Sequence, residues 1–343
     1  MQPVPPTESV ASLDTDIEVS TPGIAGCIPH STIEVEQTGP EPSVVEMGVA
    51  VLDRAYTLMS DGRTTDGILA LINGLDGLRS AFDAIPDDWT YFAENVIPDH
   101  PVSKLLCDDP TTVAAHSGDE NALLDYIYDG IAPEGTSTTG HALGAETRNI
   151  PLARSLRSRR SILAKRIDEI APNKDSSVLV IGAGRFYEGR VSQAVMAGDI
   201  DDLVATDDDS KALAALKAEL PKARIETVTA TVRTLLSRTI EFNSFDLVYA
   251  PALFDKLNDL EARRLAELMF SMVRPGGRIL LVNATDALPD TAFREAFLDW
   301  SVTGRSEANL LALTNGIPES LVGQVRVYRD EYGFSNFVEI YRR

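Results

Sequence analysis

Basic charge is what this chain has least of. Its 343 residues carry 31 Lys and Arg against 52 Asp and Glu, a formal net charge of -21, and no Lys or Arg appears before Arg54. That balance excludes tracking along DNA or RNA phosphates, which needs a basic surface. It leaves room for one charged small ligand, because a local pocket can oppose the global sign. Cysteine is nearly absent: Cys27 and Cys107 are the two present, too few and too far apart for a disulfide scaffold. The four histidines, His30, His100, His116 and His141, form no zinc-ligand spacing and no HExxH, so no metal site is expected. No apolar run approaches the ~20 residues that span a bilayer. The N-terminus lacks a basic region followed by an apolar one. These absences together point to a soluble, cytoplasmic protein with no membrane and no nucleic-acid partner.

What is present suits a globular core. Hydrophobic residues make up 44% and charged residues 24%, a balance that needs neither disulfides nor metals, and the length allows two ordinary domains. Residues 1–40 hold Pro3, Pro5, Pro6, Pro22, Pro29 and Pro40, many Ser and Thr, and only acidic charge. Such a segment buries too little apolar surface to offset its ordering entropy, so a disordered acidic tail is expected, with Ser31–Val35 a short strand candidate within it. Residues 41–146 read as a helical, substrate-covering domain. Val44, Val45, Val49, Leu52, Tyr56 and Met59 fall largely on one helical face, and Ile68, Leu71, Ile72, Leu75 and Leu78 repeat the pattern. Leu123, Leu124, Ile127 and Tyr128 mark a further helix, while the Gly, Ser, Thr and Pro of 132–146 read as a loop.

Residues 147–343 change period. A helix from about Pro151 to Ile170 precedes short continuous apolar runs at Ser177–Ile181, Leu203–Thr206, Arg224–Val228, Phe245–Ala250 and Arg278–Asn283. Such runs are typical of strands covered on both faces. Helical stretches separate most of them, which predicts a parallel sheet with right-handed crossovers. Val325–Tyr328 and Asn336–Tyr341 then read as two strands whose short link allows only an antiparallel hairpin.

The first strand runs into Gly182-Ala183-Gly184-Arg185-Phe186-Tyr187-Glu188. A glycine turn there lets the backbone approach a ligand closely, though a tight turn with no ligand reads the same way. The dinucleotide pattern GxGxxG wants glycine where Tyr187 stands, and Glu188 would repel a pyrophosphate at the helix start. A carboxylate suits a cationic or zwitterionic ligand better, and S-adenosylmethionine carries both a sulfonium and an ammonium. The second strand ends in Asp207-Asp208-Asp209. Asp207 is placed to accept hydrogen bonds from ribose hydroxyls, Asp208 to stand beside it, and Asp209 to cap the next helix. Thr231, Val232 and Arg233 are placed to frame an adenine, and Ala250 closes the fourth strand, where such a sheet opens its ligand crevice.

This order of features, strand-GxG, acidic strand end, FDLVYA, RPGGRILLVN and a final hairpin, resembles the class I S-adenosylmethionine-dependent methyltransferases over about residues 175–343. A finer resemblance is to the bacterial group similar to extracellular-factor 3-hydroxypalmitate methyl ester biosynthesis proteins. It is carried by Trp89, His100-Pro101, Leu123–Tyr128, the arginines Arg154, Arg157, Arg159 and Arg160, Ala252–Leu257, Asn283, and Asp299-Trp300 with Arg305. The segment His116–Ala122 departs from that group's arginine- and tyrosine-bearing pattern, which implies a different substrate. The resemblance implies a Rossmann-like seven-stranded methyltransferase sheet with a C-terminal antiparallel hairpin, plus an N-terminal helical domain. It also implies S-adenosyl-L-methionine as cofactor and a carboxylate, amine or hydroxyl of a small metabolite as acceptor, in biosynthesis.

Candidate roles follow. Tyr187, by a cation–π contact with the sulfonium, and Asn283 are the catalytic candidates; Tyr187 reads equally well as a core residue. Gly182, Ala183, Gly184, Glu188, Asp207, Asp208, Thr231, Val232, Arg233 and Ala250 are the cofactor candidates. Tyr126, Arg159, Phe254, Trp300 and Arg305 are the substrate candidates; Arg159 or Arg160 could grip a carboxylate or merely pair on an acidic surface. Of Tyr126 and Tyr128, one is expected in the core and one facing the cleft. Partners are expected to be the small-molecule substrate and at most a second copy in a homodimer. Two rivals remain open: attack on the cofactor's aminocarboxypropyl chain, and a binding module without catalysis.

Overall fold

The computed structural model describes residues 43–83, 86–106, 120–132, 134–240 and 242–343. The acidic tail, its Ser31–Val35 run, both cysteines, His30 and His116 lie outside them. Helix α1 (Val44–Ser60) starts where Ser43 Oγ accepts from Glu46 N at 3.2 Å and the Glu46 carboxylate accepts from Ser43 N at 2.7 Å, a reciprocal cap. Helix α2 (Thr64–Asp83) packs against it, and the chain continues through α3 (Pro86–Tyr91), a π-helical turn (Phe92–Val96) and α4 (Pro101–Leu106). Their apolar stripes meet: Leu52, Ala55, Ile68, Leu71, Leu75 and Phe92 are fully buried.

Helix α5 (Glu120–Asp129), α6 (Thr138–Thr147) and α7 (Pro151–Asp168) follow. The segment 132–146, read as a loop from its glycines, contains α6. Ser137 starts it by accepting from Gly140 N at 2.9 Å. Gly144 lets α5 come close: a Cβ there would sit 2.2 Å from the Tyr126 hydroxyl oxygen. Glycine lowers helix propensity by about 1 kcal/mol, and here close packing outweighs it.

The sheet comprises β1 (Ser177–Ile181), β2 (Asp202–Asp207), β3 (Ile225–Thr229), β4 (Phe245–Ala250), β5 (Val273–Ala284), β6 (Val322–Arg329) and β7 (Ser335–Arg342), in the order β3-β2-β1-β4-β5-β7-β6. β1 to β5 are parallel, and β7 lies antiparallel between β5 and β6. This is the Rossmann-like seven-stranded sheet that the sequence predicts, closed by the expected hairpin. Helices α8 (Gln193–Ala197), α9 (Ser210–Glu219), α10 (Val232–Leu236) and α11 (Asp259–Ser271) make the crossovers, while α12 (Thr291–Leu298) and α13 (Glu307–Ala312) fill the β5–β6 connection. The apolar core of the helical layer runs on into this connection: Leu52, Leu75, Leu152, Leu156, Phe293, Phe297 and Trp300 belong to one cluster. The second half of α7, through Leu163 and Ile167, packs instead on the sheet with Val178, Val180 and Phe186. Helix α7 therefore joins both layers. Among the described residues no helix is long and apolar enough to cross a membrane, and no group of three or more His, Cys, Asp or Glu could hold a metal ion.

Candidate functional site

The sheet places a crevice where β1 leads to β2 on one side and β4 lies on the other. Open α/β sheets take their ligands at such a switch point, beyond the carboxyl ends of the strands. The β1 turn is fastened there by its backbone. Gly182 N and Ala183 N both donate to Thr206 O, at 2.8 and 2.9 Å. Gly184 N donates to Asp207 Oδ2 at 2.7 Å, and Asp209 N to Asp207 Oδ1 at 2.9 Å. Gly182 has φ +71°, and a Cβ on it would meet the Leu253 side chain at 2.6 Å. Only glycine fits both constraints.

A cavity of about 630 Å³ opens at this point, walled by the turn, the ends of β2 and β4, α5, α7 and residues 300–302. That volume is in the range of small-molecule sites. Glu188 faces into it from a buried position and accepts from the Tyr249 hydroxyl at 2.7 Å. Burial raises its carboxyl to about 7, against the hydrogen bond from Tyr249 and the nearby Arg160 charge. Asp207 is raised as well, by burial, with the amides of Asp209 and Gly184 opposing. Helix α5 docks onto the turn: the Tyr187 hydroxyl donates to Asp125 Oδ1 at 2.9 Å, Arg185 pairs with Asp125 at 2.8 Å, and the Tyr128 and Tyr187 rings stack with centroids 4.3 Å apart. Burial lifts both tyrosine hydroxyls above the usual phenol range.

The adjacent arginines on α7 have opposite fates. Arg159 is buried and saturated. It donates to Ser335 Oγ at 3.1 and 3.0 Å, to Pro251 O at 3.1 Å and to Asp255 Oδ2 at 2.6 Å. Arg160 lies over the Tyr128 ring at 5.0 Å and stands 3.8 Å from Asp129, while its Nε is buried without a hydrogen-bond partner. Arg160 brings a guanidinium to the cavity lining, a group suited to a carboxylate.

Gly182, Ala183, Gly184, Tyr187, Glu188, Asp207, Asp208, Arg159 and Trp300 all line the cavity, as their sequence positions suggest. Eight other candidates do not. Asn283 is fully buried behind the wall, where its amide donates to Asp255 Oδ1 and Thr303 O at 2.8 Å and accepts from Arg305 at 2.7 Å. Arg305 is spent on Phe254 O and Leu257 O, both at 2.6 Å, and on Asp259. Phe254 and Ala250 belong to the sheet core. Thr231 caps α10 by accepting from Thr234 N at 3.1 Å, and Val232 packs on the sheet core; Thr231, Val232 and Arg233 stand outside the wall. Tyr126 points toward Gly144, and Tyr128 faces the cleft in its place. Helical phase decides that exchange: Leu124 and Tyr128 are four residues apart and share a face, whereas Tyr126 lies across the helix. The same spacing would have found Leu152 and Leu156 on α7, ahead of Arg160. His141 is exposed and does not line the cavity.

The sequence matches no protein-family model and no curated protein. Its fold does match solved structures. A possible exported protein from Bordetella parapertussis superposes with TM-score 0.51 and 11% identity over 88% of this chain and 97% of its own. That likeness is one of fold. Magnesium protoporphyrin IX methyltransferase (ChlM) from Synechocystis PCC 6803, solved with bound SAH, gives TM-score 0.44 and 13% identity over 68% of this chain and 100% of its own. The N-methyltransferase NodS from Bradyrhizobium japonicum WM9, with S-adenosyl-L-homocysteine, gives 0.40 and 16% over 55% and 87%.

Proposed function

We propose that this chain is an S-adenosylmethionine-dependent methyltransferase acting on a small metabolite. The observation that carries the reading is the cavity at the strand switch point, where Glu188, Asp207 and Arg160 line one space beside a glycine turn. That donor set fits a ligand with a cationic centre, a carboxylate and a ribose, whereas the turn amides that would cradle a pyrophosphate are already donated to Thr206 O and Asp207 Oδ2. Glu188 would hold the positive charge, Arg160 the carboxylate, and Asp207 with Asp208 the ribose hydroxyls. When bound, the cofactor supplies a methyl group activated on sulfonium sulfur.

The chain's own work is positional. Buried Glu188 and Tyr249 fix charge where solvent is excluded, and the apolar wall from α5 and α7 keeps water from the reacting centre. In-line transfer needs little acid–base help when the acceptor is already nucleophilic, which agrees with a wall that holds no nucleophile–base pair. Calorimetry with S-adenosylhomocysteine and NADH tests the cofactor: the first should bind in the micromolar range and the second not at all. Mass spectrometry after incubation with S-adenosylmethionine and a metabolite extract tests the reaction. S-adenosylhomocysteine is the expected product. Methylthioadenosine alone would replace methyl transfer by attack on the aminocarboxypropyl chain, and absent binding at millimolar ligand would leave a binding module.

A further inference from the structure

The cavity wall changes character along α7. Leu152 and Leu156 precede Arg160 by eight and four residues, so the wall extends about 12 Å from that guanidinium at ~1.5 Å per residue. Leu124, Leu152, Leu156, Trp300 and Val302 all line the cavity. All five lie in or against the apolar cluster of the helical layer, whereas Leu163, farther along α7, belongs to a sheet cluster. This end of the cavity is therefore an apolar slot belonging to the helical layer, distinct from the acidic, glycine-rich end.

The five residues of the slot bring no charge of their own, although Lys256, beside Asp255, also lines the cavity. The charged pair on the same cavity wall, Arg159 and Asp255, is closed on itself at 2.6 Å, and Asp255 Oδ1 is filled by Asn283 Nδ2 at 2.8 Å and Ala284 N at 2.6 Å. A charged group entering the slot would lose its hydration and gain no partner from these five side chains. Two aromatic side chains, Tyr128 and Trp300, bound it. Arg294, which does not reach the cavity, lies over the Trp300 ring at 5.6 Å and donates to Trp300 O at 2.7 Å, fixing that wall in place. A rigid aromatic wall favours offset or edge-on contact with a second ring. With an adenosine compound at the other end of about 630 Å³, the room left suits one or two rings.

We propose that the apolar slot between Leu124, Leu156, Trp300 and Val302 receives a compact, uncharged aromatic compound as the methyl acceptor. This rests on the methyltransferase reading for the word acceptor, but the slot's preference is measurable by itself. The test is ligand-observed NMR titration of the full chain, with and without saturating S-adenosylhomocysteine, using naphthol, octanoate and phenethylammonium as probes. Naphthol should bind about tenfold more tightly than either charged probe. Leu156→Trp, which fills the slot, should weaken naphthol by about tenfold or more and leave S-adenosylhomocysteine affinity within about twofold. Val302→Trp, at the partly exposed lip, is the second variant should Leu156→Trp fail to fold. Octanoate or phenethylammonium binding as tightly as naphthol would overturn the proposal. So would naphthol binding that neither tryptophan variant weakens. Failure of S-adenosylhomocysteine to bind, with the naphthol preference intact, would instead remove the methyltransferase reading and leave the slot.

Discussion

The two walls of the cavity are built by opposite rules. The sheet-edge wall is made of two contiguous stretches, Gly182 to Glu188 and Asp207 to Asp209, whose backbone amides donate to Thr206 O and the Asp207 carboxylate at 2.7 to 2.9 Å. The helical wall is assembled at a distance. Leu124, Leu156 and Trp300 come from three separated segments and meet only because α5, α7 and the chain after α12 share one apolar cluster. A wall made by backbone geometry is specific about glycine and carboxylate. A wall made by packing is specific about volume and polarity, and almost any sequence with the right phase builds it. The arginine pair condenses the contrast. Arg159 belongs to the packed wall, where it is a structural strut, and Arg160, one residue on, lines the cavity over the Tyr128 ring.

The largest expected effect tests that contrast. Arg159→Met leaves Asp255 buried without its cation, and breaking a buried pair from one side costs ~3 to 5 kcal/mol. Urea denaturation should show a loss of that size. A loss under ~1 kcal/mol would mean that Arg159 is not a strut. Gly182→Ala comes next. It forces a side chain into φ +71° and against Leu253, a strain of ~1 to 2 kcal/mol. Calorimetry should show S-adenosylhomocysteine affinity falling by about tenfold or more. Unchanged affinity would show that the turn is not the cofactor's cradle.

Arg160→Ala should reverse the Arg159 pattern, with ligand affinity down by about tenfold and stability changed by less than ~1 kcal/mol. If both variants behave alike, the distinction between the walls fails. The smallest effect is a pH dependence. The Glu188 carboxyl is raised from 4.5 to about 7 in the folded chain. Its contribution to stability is therefore full below pH 4.5 and is lost as pH rises through about 7. Asp76, raised from 3.8 to about 7 by burial and by Asp290, titrates in the same window. The comparison is thus Asp76→Asn against Asp76→Asn with Glu188→Gln. The first should lose stability relative to the second between about pH 5 and about pH 8. S-adenosylmethionine affinity in the Asp76→Asn chain should rise over the same interval, as Glu188 gains its charge. A flat difference would mean that Glu188 is ionised throughout.

Most of the sheet is legible from sequence, because strands buried on both faces are continuous apolar runs and their ends are marked by glycine and aspartate. Ser177–Ile181 and Phe245–Ala250 fall where the runs place them. Misreadings cluster where side-chain direction matters. Asn283 and Arg305 stand in a motif-like order, yet both turn inward to brace the chain around Asp255. Tyr126 and Tyr128 are alike by type and adjacent by position, and only helical phase against α6 separates them. Helix α6 itself is hidden by its glycines, of which Gly144 makes room for Tyr126 on another helix.

By itself the sequence determined the strand order's raw material, the glycine turn, the acidic strand end and the closing hairpin. Each of these is marked by residues contiguous in the chain, through their backbone conformation and apolar pattern. Only the tertiary structure decided which arginine is the buried strut, which tyrosine faces the cleft, and which apolar side chains line the cavity beside its polar end. Those outcomes depend on which distant side chains fill the remaining space and satisfy the buried charges, and no local pattern encodes that.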